Sequence, residues 1–142
     1  MQRMLLKRQR GATMLEILVA VLVLAIGILA LVGLQAKAIT STSDAKYRVE
    51  AATYADELIG MMWADRTNRA SYATFSDPSG VAQAWRTRVM NGLPGAGVPV
   101  ITMTGTATDA LVSVTLTWTP PGLPNGAPPH QLTVQTRMDN NL

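Results

Sequence analysis

Residues 10–34 read RGATMLEILVAVLVLAIGILALVGL: an arginine, a glycine, and then a run from Ala12 to Leu34 in which Glu16 is the single charged residue. Leu, Val, Ile and Ala fill nearly every other position, so a helix here is apolar on all faces rather than along one stripe, which suits hydrocarbon surroundings better than a water-facing core. At about 1.5 Å per residue the run is roughly 34 Å long, enough to cross a bilayer. Arg3, Lys7, Arg8 and Arg10 crowd immediately before it. Basic residues flanking a span stay on the cytoplasmic side, which predicts a cytoplasmic N-terminus, a single pass and an exported remainder. A cleaved secretory signal starts with the same charge pattern, but the apolar run here is longer than a usual signal core, and no small-x-small site with a polar exit follows it neatly.

The charge balance changes meaning once this head is set apart. The whole chain of 142 residues carries net charge +3, yet four of its twelve cations precede Gly11, leaving eight cations against nine acids beyond it. A basic chain invites a nucleic-acid partner, and here most of that basicity belongs to the first eleven residues. There is no cysteine. Thiol catalysis, cysteine metal sites and disulfide reinforcement of an exported domain are therefore excluded, and stability has to come from packing.

Beyond Leu34 the helical pattern continues but becomes one-sided. Tyr47, Ala51, Tyr54, Ala55, Leu58, Met61 and Met62 recur at spacings of three and four, while Asp44, Lys46, Arg48, Glu50, Asp56 and Glu57 take most other positions. One helix from near Ala12 to about Asp65 is expected, apolar all round and then amphipathic, with Gly27 and Gly33 as its weak points. A polar break, DRTNRASYATFS, precedes a second helix in DPSGVAQAWRTRVMNG, with Asp77 as N-cap, Pro78 in the first turn, Val81, Trp85 and Val89 on its apolar face and Gly92 at its stop. Strands are expected over 98–104, 111–118 and 131–138; the second alternates Val112, Val114, Leu116 and Trp118 against Ser113, Thr115 and Thr117. One apolar face per strand predicts an antiparallel sheet covered on one side by the amphipathic half of the long helix. The last two strands are joined by TPPGLPNGAPPH, a Pro- and Gly-rich irregular loop too long for a tight hairpin.

The string RGATMLEILVAVLVLAIGILALVGLQ resembles the N-terminal class III signal of type IV prepilins and type II secretion pseudopilins: a basic leader, a glycine, four residues, a glutamate and about twenty apolar residues. More weakly, EAATYADELIGMMWAD, WRTRVMNGLPG and VSVTLTWTPPG look most like PilV-type minor pilins of the type IV pilus. The resemblance implies an α+β type IV pilin-like fold, a long N-terminal helix packed on a short helix and a small antiparallel sheet. It divides the chain into a leader over 1–11, a transmembrane and filament-core half-helix over 12–34, an amphipathic half over 35–66 and a periplasmic head over 67–142. It further implies cleavage between Gly11 and Ala12 by prepilin peptidase, N-methylation of Ala12, and a role for Glu16 in assembly. Ala12 departs from the Phe or Met usual after the cut; the span lacks the mid-span proline of major pilins, and the chain lacks their disulfide pair. Both latter departures point to a minor pilin or pseudopilin.

Glu16 also has a reading independent of the resemblance. A carboxylate inside a spanning helix is costly unless paired or neutralised and is therefore a functional candidate, and the amino terminus that cleavage creates on a neighbouring subunit is a suitable partner. The competing reading is a headgroup-level glutamate favoured by the helix dipole.

Other constellations are set aside. His130, the sole histidine, reads as a solvated loop residue with no partner acid, so no metal or catalytic site is expected. No nucleophile elbow, phosphate loop or EF-hand pattern occurs, and the chain is expected to be a non-enzyme without cofactor. Arg66, Arg69, Arg86 and Arg88 could form a DNA-contacting patch, as in minor pilins that assist DNA uptake, but interleaved acids favour an ordinary surface and no nucleic-acid partner. Met61, Met62, Trp63 and Trp85 read as core. The expected partners are prepilin peptidase, other minor pilins and the major pilin, the inner-membrane assembly platform and the inner membrane itself. The expected product is a structural subunit of the assembly-priming or tip complex, serving pilus biogenesis, twitching motility and adhesion, with a minor pseudopilin of a type II secretion system as the alternative.

Overall fold

No proline interrupts the passage from the apolar segment into the amphipathic one, and a single helix, α1, spans Ala12–Ala64. The structure, a computed structural model, describes residues 12–106 and 109–139, apart from the side chain of Ala12. The chain divides into two compact units, Met1–Ser41 and Thr42–Leu142. In the first unit every residue from Thr13 to Ser41 is exposed and helical. Gly27 and Gly33, the expected weak points, are helical too, with no atom within 4 Å of where a Cβ would stand. By length and composition the helix is long and apolar enough to cross a membrane.

The second unit holds the rest of α1, helix α2 (Arg69–Tyr72), helix α3 (Val81–Gly92) and strands β1 (Val100–Gly105), β2 (Asp109–Trp118) and β3 (His130–Asp139). The strands form one antiparallel sheet in the order β1-β2-β3. Alternation puts Ile101, Val114 and Val134 in one row across the sheet and Met103, Val112 and Thr136 in the next, all on the same face. Against that face lie Ala51, Ala55, Leu58 and Met62 of α1 and Ala82, Trp85 and Val89 of α3, which together with the sheet residues make one buried cluster. Tyr47, Tyr54, Met61 and Trp63 pack around its edge. This is an α+β pilin-like fold, the long helix and the small antiparallel sheet sharing a core.

Two local expectations are corrected. The apolar face of α3 is Ala82, Trp85 and Val89; Val81 is 38% exposed. The reason is that residues 77–80 form a turn before the helix, with the Gly80 amide donating to Asp77 O at 3.0 Å and Gly80 in the left-handed region at φ 69°. The N-cap residue is therefore Gly80 rather than Asp77, which reaches across the turn instead, its carboxylate accepting the amides of Val81 at 2.8 Å and Ala82 at 3.1 Å. Pro78 consequently sits in that turn rather than in the first helical turn. Secondly, the polar break contains the single-turn helix α2, whose Arg69 is buried and donates to Met138 O at 3.4 Å. Gly92 does end α3, but not through a left-handed cap: a Cβ there would collide with the Tyr54 hydroxyl.

Candidate assembly and processing site

The residues proposed from sequence for processing and assembly lie at the start of α1. Gly11 falls outside the described residues, as does the leader before it. Ala12 opens the helix and Glu16 follows it by four positions, so the two lie one above the other on one side of the helix. Glu16 is exposed, and so are its neighbours Met14, Leu15, Ile17 and Leu18. Among the described residues no cation lies within ion-pair distance of Glu16, and Lys37 is the first basic residue after it. One carboxylate therefore stands alone in an apolar cylinder, able to accept hydrogen bonds or pair with a cation brought by another chain.

The second unit places its charged groups differently from what the sequence suggested. His130 is not a solvated loop residue: it is the first residue of β3, paired across the sheet with Trp118. Its ring meets the Trp118 ring edge-on, with centroids 5.9 Å apart, and its Nδ1 lies 2.6 Å from Asp44 Oδ1 on α1. The other Asp44 oxygen is 3.5 Å from Arg48 Nε. Two-residue alternation explains this, because stepping back from Leu132 on the core face lands on His130. That signal was present in the sequence; the partner was not, since nothing in a linear reading brings Asp44 to it.

The four arginines of the candidate DNA patch are separately occupied. Arg66 lies over the Trp63 ring at 5.3 Å and Arg86 over the Phe75 ring at 5.2 Å. Arg88 pairs with Glu57 at 2.7 Å, and Arg69 is the buried donor to β3. Among the described residues no three His, Asp or Glu side chains come together as a metal site.

Burial and neighbours tune several titrating groups here. Burial, reinforced by Glu50, pushes the Tyr54 hydroxyl up; burial and Asp65 do the same to Tyr72. Asp109 is held low by its hydrogen bonds from Arg137 across the sheet. The two tyrosine shifts follow from burial beside acidic neighbours and the Asp109 shift from pairing at the surface.

Residues 6–32 match a family profile described as the prokaryotic N-terminal methylation motif. No match was found among curated proteins or among solved structures. The motif is the class III prepilin signal of type IV pilins and pseudopilins, proteins that prepilin peptidase processes, and its presence supports a pilin or pseudopilin. The apolar helix near the N-terminus fits a membrane-anchored pilin.

Proposed function

We propose that this chain is a minor pilin of a type IV pilus, held in the inner membrane by α1 until it joins the assembly-priming or tip complex. On this reading residues 1–11 are a leader that prepilin peptidase removes after Gly11, and the new amino terminus of Ala12 is N-methylated. Residues 12–34 exchange lipid for the helices of other subunits, residues 35–66 carry the amphipathic half of the helix, and residues 67–142 form the periplasmic head. The observation that carries the reading is the lone Glu16 carboxylate on the exposed and otherwise uncharged helical surface of residues 13–34, five residues after Gly11. A processed neighbour offers the matching cation, its Ala12 amine, and the pair fixes the axial stagger between subunits. The PilV-like sequence resemblance, the absence of cysteine and the absence of a mid-span proline favour a minor over a major subunit.

A minor pseudopilin of a type II secretion system shares the same N-terminal motif. Deleting the gene separates the two: loss of piliation and twitching with secretion intact supports the pilus, and the reverse supports the secretion system. Complementing the deletion with Glu16→Ala tests the residue. Fewer or shorter pili at normal membrane level and normal cleavage is the expected outcome; unchanged piliation refutes the role given to Glu16. Mass spectrometry of the mature protein is expected to find an N-methylated start at Ala12, and any other start removes the processing assignment.

A further inference from the structure

The chain has two Asn-Gly pairs, Asn91–Gly92 and Asn125–Gly126, and the fold treats them differently. Asn91 and Gly92 are the last two residues of α3. Asn125 and Gly126 are the central residues of a turn in the β2–β3 connection, closed by the Ala127 amide donating to Pro124 O at 3.0 Å. Gly126 has φ 86°, and Asn125 is not among the residues of positive φ, which makes this a type II turn. A matching turn precedes it, with Leu123 N donating to Pro120 O at 3.2 Å and Gly122 at φ 85°. Pro124, Asn125 and Gly126 are all exposed, and the Gly126 N–H donates to no described group.

We propose that Asn125 is a site of spontaneous backbone modification, converting to aspartate and isoaspartate, and that Asn91 is protected from it. In the first step the Gly126 amide nitrogen gives its proton to water and bonds to Asn125 Cγ. The Cγ–Nδ2 bond breaks, and Nδ2 takes up a proton and leaves as ammonia, closing a five-membered succinimide. Water then opens the ring at one of its two carbonyls. Opening at the side-chain carbonyl restores a normal aspartyl link; opening at the main-chain carbonyl routes the backbone through the former side chain and gives isoaspartate. Gly126 has no side chain to obstruct ring closure.

The difference between the two sites is conformational, since both asparagines are exposed. A type II turn sets Asn125 ψ near +120°, which aims the Gly126 nitrogen away from the carboxamide, so closure needs rotation of that peptide. At Asn125 the rotation sacrifices one turn hydrogen bond, and glycine accommodates the new dihedral angles. At Asn91 it breaks helical hydrogen bonds and displaces Gly92, whose Cα packs so closely on the Tyr54 hydroxyl that a Cβ would collide with it. The products also matter locally: no charged residue lies between Trp118 and His130, so reaction at Asn125 places a first carboxylate on that loop.

The test is peptide mapping by mass spectrometry of the full-length chain aged in detergent micelles at mildly alkaline pH, beside the same chain unfolded in denaturant. Isoaspartate is read with an enzyme that methylates isoaspartyl carboxylates. Asn125 is expected to deamidate at least about tenfold faster than Asn91 in the folded chain, the ratio produced by about 1.4 kcal/mol of additional barrier in the helix. In denaturant the two sites are expected to react at comparable rates. Equal folded-state rates, a faster Asn91, an intact Asn125 where the unfolded chain reacts, or an unchanged ratio in denaturant each overturns the proposal. Asn125→Gln is expected to abolish the loop signal without altering the unfolding temperature.

Discussion

Replacing Asp77 by alanine removes the groups that start α3. The Asp77 side chain is buried, 6% exposed, and its two oxygens accept from Val81 N at 2.8 Å, Ala82 N at 3.1 Å and Ser79 Oγ at 2.6 Å. Losing a helix cap costs about 1 kcal/mol in exposed cases and about 2 where it is best held; three donors and burial put Asp77→Ala near about 2 kcal/mol. For a unit of this size that lowers the melting temperature by about 8 °C or more. Near-ultraviolet circular dichroism of the full chain in detergent isolates the unit, because all three tryptophans, Trp63, Trp85 and Trp118, lie beyond Ser41. The effect also has a pH signature. The Ser79 hydroxyl, followed by the Val81 and Ala82 amides, holds the Asp77 carboxyl below its ordinary 3.8 against the opposing effect of burial. A carboxylate whose folded pKa is depressed stabilises the fold fully above the unfolded value, and that contribution is lost as pH falls through the folded pKa. The gap between wild type and Asp77→Ala is therefore full at neutral pH and narrows in strong acid. Asp77→Asn keeps an acceptor and loses less at neutral pH, and because asparagine does not titrate, its gap from wild type narrows in acid as well. A gap that stays constant into strong acid, or a neutral-pH loss under about 0.5 kcal/mol, refutes the capping account.

Three other substitutions probe different parts of the same unit. Trp85→Phe removes the indole N–H that donates to Tyr54 O at 2.9 Å and opens a cavity between α3 and α1, so a loss of about 2–3 kcal/mol is expected as a lower denaturant midpoint at unchanged slope. Gly105 has φ 130°, and a Cβ there would run into Asp109 O; Gly105→Ala should cost about 1–3 kcal/mol and speed amide exchange in the β1–β2 hairpin most. A double-mutant cycle on Asp44→Ala and His130→Ala should give a coupling of about 1 kcal/mol, since the pair is half-buried and ties α1 to β3; independent effects would mean that the contact contributes nothing.

Much of this arrangement was readable because it depends on periodicity. The stripe containing Ala51, Ala55, Leu58 and Met62 repeats every three or four residues, and the alternation through Val112, Val114, Leu116 and Trp118 repeats every two; burial follows both. Turn chemistry is harder to read. Asp77 was visible as a cap, but its caps can reach a helix directly or across a turn, and only the Gly80 conformation decides which. Least legible are contacts between distant segments: Asp44 with His130, Arg69 with Met138 O, Gly92 with Tyr54. Each depends on where two elements meet. For the candidate site, the glycine, the spacing to Glu16 and the apolar run are local and were all in the sequence, whereas partners on other chains have no local signature.

The two halves of α1 bury their apolar surface by different means, and the energies involved decide what Glu16 can do. Fifteen large apolar side chains from Met14 to Leu34 are exposed. At about 1.5–3 kcal/mol each, water contact would cost roughly 20–45 kcal/mol, so this half needs an apolar environment at every stage. A single carboxylate, at about 3 kcal/mol or less, cannot overturn that requirement and should leave membrane retention unchanged when removed. Moving the helix from lipid into a bundle of helices is another matter. Lipid tails are as apolar as leucine, so the hydrophobic contribution nearly cancels, leaving packing and polar contacts to choose the arrangement. There a few kcal/mol is the larger effect. Sliding one apolar helix along another changes little by itself, whereas an offset that carries Glu16 away from its cation leaves a carboxylate unpaired in hydrocarbon. Under the proposed function the apolar surface would supply retention and Glu16 register, so its substitution is expected to reduce piliation while leaving membrane levels intact.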